Sequence, residues 1–327
     1  KGTIPFPALP SVKNPPEGWI VTANQAVIGP EYPFFLTDDW SYGSRSQRIV
    51  DRVEEATKDG AKMTAGTMQA IQMDSRSELA SFLAPRLAAL PTTAETSGAV
   101  ALLNGWDFSQ PTDSAAAAFF NATWKQMVAR MFDAAADTEL IHAGGGDRYW
   151  QVIYDIWDSP DDFWWDDKTT TRIETRDETL QASMAAAVAE LSGLQGEDPQ
   201  AWNWGGLHTL LLRNQTLGDS GIGPIEAIFN RGPVQTAGGE SVVNATGWTP
   251  IDGYTVNWVP SMRQVIDLSN FDASTWVNLT GASGHAFNPH YDDQNEAWRT
   301  GQQYPWPFTE GAVTSAAADT LTLVPAT

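Results

Sequence analysis

The chain is 327 residues long and carries a net charge of −21, with 19 Lys and Arg against 40 Asp and Glu. That length suits one large domain or two ordinary ones, and the acidic balance argues against nucleic acid and anionic membrane surfaces, both of which need a basic patch. Ordinary apolar content and 15 Trp exclude disorder, and the absence of Cys excludes disulfides, thiolate metal sites and a Cys nucleophile within this sequence.

Residues 1–43 read as extended segments and turns, with Pro-rich punctuation at Ile4-Pro-Phe-Pro7 and Pro30-Glu-Tyr-Pro33. Between them, Asn14-Pro15-Pro16 cannot be helical, because proline removes an N–H and restricts the residue before it. Trp19-Ile20-Val21-Thr22 is then a β-branched, apolar run and predicts a short buried strand, with Asn24 at its exit. An Asn there either forms a turn or holds its amide for a ligand.

Residues 44–217 read as mainly helical. Arg45, Arg48, Ile49, Arg52 and Val53 recur at helical spacing from Ser44 until Lys58-Asp59-Gly60 stops the pattern. Thr64 is placed to cap a helix carrying Met68, Ile71 and Gln72. Ser75-Arg-Ser-Glu78 matches a capping box before Leu79, and Pro85 should end or kink the helix that follows. Residues 97–104 and 113–136 read as helices, the second crossing the interior. Asp147 to Trp157 and Thr179 to Leu191 read as helices on either side of an acidic loop. Residues 218–327 turn to Gly, Pro and β-branched residues, and Ser241-Val-Val, Tyr254-Thr-Val and Gln264-Val-Ile read as strands. This order suits one α+β unit whose terminal strands return to a shared sheet better than two independent domains.

Several constellations carry possible chemistry. Arg45 could form a surface salt bridge with Glu54 or Glu55, or could serve a site. His142, His208, His285 and His290 show no His-x-x-x-His spacing, and no Gly-x-Ser-x-Gly elbow exists, so they read as packed or hydrogen-bonded residues. Asp158, Asp161, Asp162, Asp166 and Asp167 alternate with Trp157, Trp164 and Trp165. Carboxylates beside aromatic platforms are what a carbohydrate-active protein needs; the plain alternative is a solvated acidic loop with Trp anchors. Asp292, Asp293 and Glu296 lack the spacing of a calcium loop.

Gly18-Trp-Ile-Val-Thr-Ala-Asn24 resembles a segment of the penicillin acylase family of N-terminal-nucleophile amidohydrolases. The likeness continues through Tyr32-Pro33, Trp40 and Arg45-Ser-Gln-Arg48-Ile49. It resumes at Trp202-Asn-Trp204-Gly-Gly-Leu-His208 and Pro260-Ser-Met-Arg263-Gln-Val-Ile-Asp267. It ends with Gly281-Ala-Ser-Gly284-His285, Pro289-His290-Tyr291-Asp-Asp293-Gln294 and Trp298-Arg-Thr-Gly301. These stretches lie in the family's order across nearly the whole chain.

The resemblance implies an α+β fold, the C-terminal portion of a four-layer αββα arrangement with a large helical insertion. It implies hydrolysis of a small-molecule acyl amide without a cofactor, in which Asn24 helps form the oxyanion hole and Arg45 organises the active site, with Arg48 as a structural partner on the next turn. Family members carry their nucleophile, usually Ser, as the first residue of a β-chain. This sequence begins Lys1-Gly2-Thr3, so the nucleophile-bearing segment and the α-chain are expected as separate parts of one precursor, and this polypeptide is not expected to be an enzyme alone. A non-catalytic relative that binds or assembles would share the same residues. Family calcium sites use a carboxylate soon after the Tyr-Pro pair; here Phe34-Phe35-Leu36 stands there and Asp38 and Asp39 are displaced, which weakens the expectation of calcium. An exported bacterial protein, in the periplasm, cell envelope or outside the cell, completes the expectation.

Overall fold

The structure is a computed structural model that describes residues 2–133 and 142–325. In chain order its helices are α1 (Ser44–Thr57), α2 (Ala65–Gln72), α3 (Glu78–Ala88), α4 (Ser97–Ala101), α5 (Ala115–Val128), α6 (Asp147–Ile156), α7 (Arg176–Gln195), α8 (Trp204–Leu207), α9 (Gly223–Phe229), α10 (Asn295–Thr300) and α11 (Glu310–Ala316). Its strands are β1 (Thr209–Leu212), β2 (Arg231–Gln235), β3 (Met262–Val265), β4 (Thr275–Asn278) and β5 (Tyr304–Pro305). The chain divides into two compact units. The first comprises Lys1–Glu55, Asp74–Leu211 and Gly232–Val259, and the second Ala56–Met73, Leu212–Arg231 and Pro260–Thr327.

The first unit is built around α5, which packs along α7. Every residue of α5 from Ala116 to Trp124 is buried, so the helix does cross the interior. Burial of each large side chain here, such as Phe119, Phe120 and Met127, contributes roughly 1.5–3 kcal/mol. Small Ala residues between them let α7 approach closely. A run of π-helix, Ala129–Asp133, extends α5; the last predicted positions, 134–136, lie outside the described residues. Trp202, Trp204, Trp248 and Tyr254 close the end of this core.

Helix boundaries follow local chemistry. Asp59 and Gly60 both adopt positive φ after α1, and the Thr64 hydroxyl caps α2. The predicted box at Ser75 is corrected: Ser77 is the N-cap of α3, accepting from the Ala80 N–H at 3.2 Å, while Ser75 Oγ accepts from the Gln110 N–H at 3.1 Å. A true capping box joins Thr175 and Glu178 at the start of α7, where the prediction began three residues late. Pro85 does not end α3. It sits on the exposed side, where its ring meets solvent, and the helix runs on to Ala88.

Three predicted strands are also corrected. Trp19–Thr22 forms no strand and Ile20 is exposed, because none of the described residues lies alongside to complete a ladder. Ser241-Val-Val is a turn with Ser241 at φ 54°, and Tyr254-Thr-Val makes only a one-residue parallel bridge from Val256 to Leu210. Gln264-Val falls within β3 as expected.

The second unit carries a three-stranded antiparallel sheet in the order β3-β4-β5, with Arg263 opposite Val277 and Gln264 opposite Trp276. Alternation separates its faces. Arg263, Val265 and Val277 point to a buried face that α2 and α10 cover, with the Arg263 guanidinium 4.1 Å from the Trp298 ring centre. Gly281 is required by close approach, since a Cβ there would stand 2.1 Å from the His290 carbonyl oxygen.

Candidate active site

Asn24 lies in the first unit, on the irregular stretch before α1. Its backbone is left-handed, with φ 66°, a conformation Asn tolerates better than most residues. The Ser41 N–H donates to the Asn24 carbonyl at 2.8 Å, and Gln25 and Ser41 form a parallel bridge. Gln25 folds back on the same stretch: its Oε1 accepts from the Ala23 N–H at 2.6 Å and its Nε2 donates to the Val21 carbonyl at 2.9 Å. The loop is thus held by point contacts rather than a ladder.

Arg45 is the second residue of α1, which starts directly after Gly43, whose φ of 99° turns the chain into the helix. Its Nη2 donates to Asn24 Oδ1 at 2.6 Å. The two residues marked by the resemblance are therefore brought together across 21 positions of sequence. The alternative salt bridge is not made, because Glu55 pairs with Arg52 instead. With Oδ1 occupied as an acceptor, Asn24 Nδ2 is left as the outward donor, and it has no partner among the described residues. Arg48, one turn on, forms a two-pronged pair with Asp74, Nε at 3.1 Å from both oxygens and Nη2 at 2.6 Å from Oδ2. That pair anchors α1, and with it Arg45, to the residues that lead into α3.

Within electrostatic reach of Arg45 lies a titratable group that sequence reasoning missed. Burial, and more weakly the charge of Asp147, push the Glu240 carboxyl above the usual carboxylate range, against hydrogen bonds from Ser241 and Trp258 and the positive charge of Arg45. The only sequence signal was an acid set directly after Gly238-Gly239, which gives no hint of Arg45 nearby. Asp147 was placed as the start of a helix and not weighed for chemistry. It accepts from Ser41 Oγ at 2.5 Å and from the Tyr42 N–H at 3.0 Å.

The remaining candidates find structural work. His208 is fully buried and stacks on Trp204, with ring centres 4.4 Å apart. Its Nδ1 lies 2.8 Å from the Tyr254 carbonyl and its Nε2 3.1 Å from Thr246 Oγ1. Burial pushes its pKa down to about 4, so the ring is neutral, and it donates from Nδ1 to the Tyr254 carbonyl. In the second unit, His290 Nδ1 lies 2.7 Å from Asp293, and His285 accepts from the Phe287 N–H in an exposed loop. His142 is exposed.

In the acidic Trp loop three of the five carboxylates are engaged, while Asp158 and Asp161 are exposed to solvent. Asp162 caps the turn at Trp164, Asp166 pairs with Lys168, and the buried Asp167 accepts from Thr169 N and Oγ1 at 3.0 and 2.6 Å. Trp165 is fully buried, as an anchor rather than a platform. Asp39 is engaged with Arg148 at 2.8 Å, while Asp292 and Glu296 face Arg231 and Arg299. Among the described residues no group of three or more His, Cys, Asp or Glu is gathered as a metal site, and no helix is long and apolar enough to cross a membrane.

Comparison with known proteins identifies the family of the chain. Residues 1–315 match the family described as Penicillin amidase. The chain is 28% identical over 331 residues to the acyl-homoserine lactone acylase QuiP of Pseudomonas aeruginosa, covering 91% of this chain and 38% of that protein. It is 27% identical over 336 residues to the penicillin acylase 2 proenzyme of Pseudomonas sp. (strain SE83), covering 100% of this chain and 41% of that protein. A solved structure, the thermostable penicillin G acylase of Alcaligenes faecalis, superposes with a TM-score of 0.57 at 17% identity, over 99% of this chain and 60% of that one. The fold is thus that of penicillin G acylase, and the chain spans about two-fifths of the length of these curated relatives.

Proposed function

The chain belongs to the penicillin amidase family, and from that premise we propose that it is the C-terminal part of an acylase that hydrolyses a small-molecule acyl amide. An N-terminal Ser on another segment of the same precursor attacks the amide carbonyl, its own α-amine accepting the proton through a water. Asn24 donates from Nδ2 to the oxyanion that forms, and Arg45 orients the Asn24 amide and adds positive charge beside it. No cofactor enters this mechanism. The observation that carries the reading is the Arg45–Asn24 hydrogen bond of 2.6 Å. It selects one of two amide orientations, the one in which nitrogen rather than oxygen is presented, before substrate arrives.

The other segment also has a surface to meet. The face of β3-β4-β5 turned away from α2 and α10 carries Met262, Trp276, Tyr304 and Trp306 together with Gln264 and Asn278, with Ile266 and Phe308 beside them. An antiparallel sheet open to water on one face normally presents polar residues there, and exposed aromatic side chains grouped on such a face mark a contact surface. The rest of the precursor is the occupant that fits, as a second layer against the sheet.

In the assembled enzyme, Asn24→Ala should lower kcat by roughly 10²–10³ with a smaller change in KM. Asn24→Asp should be at least as damaging, because a carboxylate repels the oxyanion. Melting temperature is measured on the same samples. Normal turnover with lowered stability would return Asn24 to a turn-forming role and sink the oxyanion assignment.

A further inference from the structure

Asn24 is fixed at two points. Arg45 holds its side-chain oxygen, and the Ser41 N–H holds its backbone carbonyl at 2.8 Å. The second hold depends on a residue far away in sequence. One oxygen of Asp147 accepts the Ser41 hydroxyl at 2.5 Å and the Tyr42 N–H at 3.0 Å. Hydrogen bonds to an ionised acceptor are about twice as strong as neutral ones. Apart from the bridge to Gln25, they are what locates Ser41 on this irregular stretch.

Asp147 is itself anchored in the first unit. It is the first residue of α6, where the helix dipole favours a carboxylate. Its backbone N–H donates to Ser241 Oγ at 3.1 Å, and that hydroxyl donates to the Glu240 carboxylate at 3.1 Å. The preceding Gly146 permits this approach, since a Cβ there would stand 2.9 Å from Glu240 Oε1. Behind the first turn, Trp150 and Ile153 bury α6 in the hydrophobic core. A continuous physical path therefore runs from packed core to Asp147, to Ser41, to the backbone of Asn24.

We propose that Asp147 is a positioning residue for Asn24, pinning Ser41 and Tyr42 so that the Asn24 amide stands where the oxyanion forms. The proposal rests on the oxyanion reading of Asn24. Donor placement matters steeply, because a displacement of about 1 Å in a catalytic group can cost on the order of 10²-fold in rate. Losing one of two holds should cost less than losing the donor itself.

The test is a double-mutant cycle in the assembled enzyme, reading kcat, KM and melting temperature. Asp147→Ala should lower kcat about tenfold and leave KM within about twofold. Asp147→Asn keeps an acceptor oxygen for both donors and should recover most of that loss. In the Asn24→Ala background, Asp147→Ala should cost little more, since the group it positions is gone. Ser41→Ala removes only the hydroxyl donor and should give a smaller, equally coupled loss, which keeps the test open if Asp147→Ala does not fold. Equal losses in both backgrounds, or unchanged kcat in Asp147→Ala and Ser41→Ala while Asn24→Ala is impaired, would overturn the positioning role and leave the oxyanion reading standing. An unimpaired Asn24→Ala would overturn both.

Discussion

The α5 core and the stretch before α1 belong to one unit, yet opposite physics holds them. From Ala116 to Trp124 every α5 side chain is buried, and neighbouring apolar groups hold it by area. In residues 2–40 only Ala23 is buried, and the stretch around Asn24 is held by isolated hydrogen bonds, the backbone to Gln25 and Ser41 and the Asn24 side chain to Arg45. The candidate chemistry sits on the second kind of structure and the stability on the first. A loop can place an amide finely without a large apolar area, provided its few fixed points belong to something rigid. Here they do: Arg45 rides on α1, which Arg48 ties to Asp74, and Ser41 is tied to the start of α6.

This contrast can be broken most directly by truncating the core. Phe119 is fully buried and faces Trp202 with ring centres 6.4 Å apart. Phe119→Ala should cost about 3–5 kcal/mol of stability, while the fraction that remains folded keeps its kcat. That is the mirror image of Asn24→Ala, and thermal melts paired with active-site titration separate them. A Phe119→Ala enzyme that melts normally but turns over slowly would erase the division between the two regions.

His208 sharpens the same comparison through pH. An unfolded imidazole takes up a proton below about pH 6.5, whereas the buried ring does so only near pH 4. Protonation therefore favours unfolding across that window. The contribution is fully present above pH 6.5 and is lost as pH falls toward 4, by on the order of 3 kcal/mol. His208→Gln should flatten the fall of melting temperature with acidity between those limits. An unchanged slope would mean that the ring titrates near its ordinary value, inconsistent with its burial.

Arg45 tests the loop side with a smaller effect. Arg45→Lys keeps the charge but loses the planar fork that reaches Asn24 Oδ1. Turnover should fall by about tenfold, a change of about 1.4 kcal/mol in the barrier, with melting temperature nearly unchanged. Unchanged kinetics in Arg45→Ala would show that the hydrogen bond to Asn24 does not matter to the reaction.

What the sequence revealed divides along the same line. The α5 segment was legible from its composition, rich in helix-favouring Ala with Phe and Met, and α1, α2 and α6 were placed from local pattern. Trp19–Thr22 was misread because its composition suits a strand, but a strand exists only where a neighbour completes its hydrogen bonds. Ser75 and Ser77 offer equivalent caps two residues apart, and only the contact of Ser75 with Gln110 decides between them. Local pattern left Asn24 open between a turn and a site, and Arg45 between a salt bridge and a site. Their pairing came from family likeness and then from geometry. Asp147 and Glu240 were illegible as site neighbours. The bonds that bring Asp147 to Ser41 and to Ser241 span 106 and 94 residues, and no local signal encodes such distances.

Glu240 stands where the two kinds of structure meet, and it offers the smallest and most specific test. Its carboxyl is pushed up chiefly by burial, so the folded state holds its proton more tightly than the unfolded chain does. An unfolded Glu ionises near pH 4.3. As pH rises through that value and on through the higher folded value, ionisation increasingly favours the unfolded chain, and stability is lost rather than gained. Gln at this position has nearly the same shape and no charge to bury. Glu240→Gln should therefore melt at the same temperature as the parent below about pH 4 and higher than the parent at pH 8. If the parent were instead the more stable at pH 8, the attraction of Arg45 and the hydrogen bonds from Ser241 and Trp258 would outweigh burial, and Glu240 would stand as a charged partner of the Arg45–Asn24 pair.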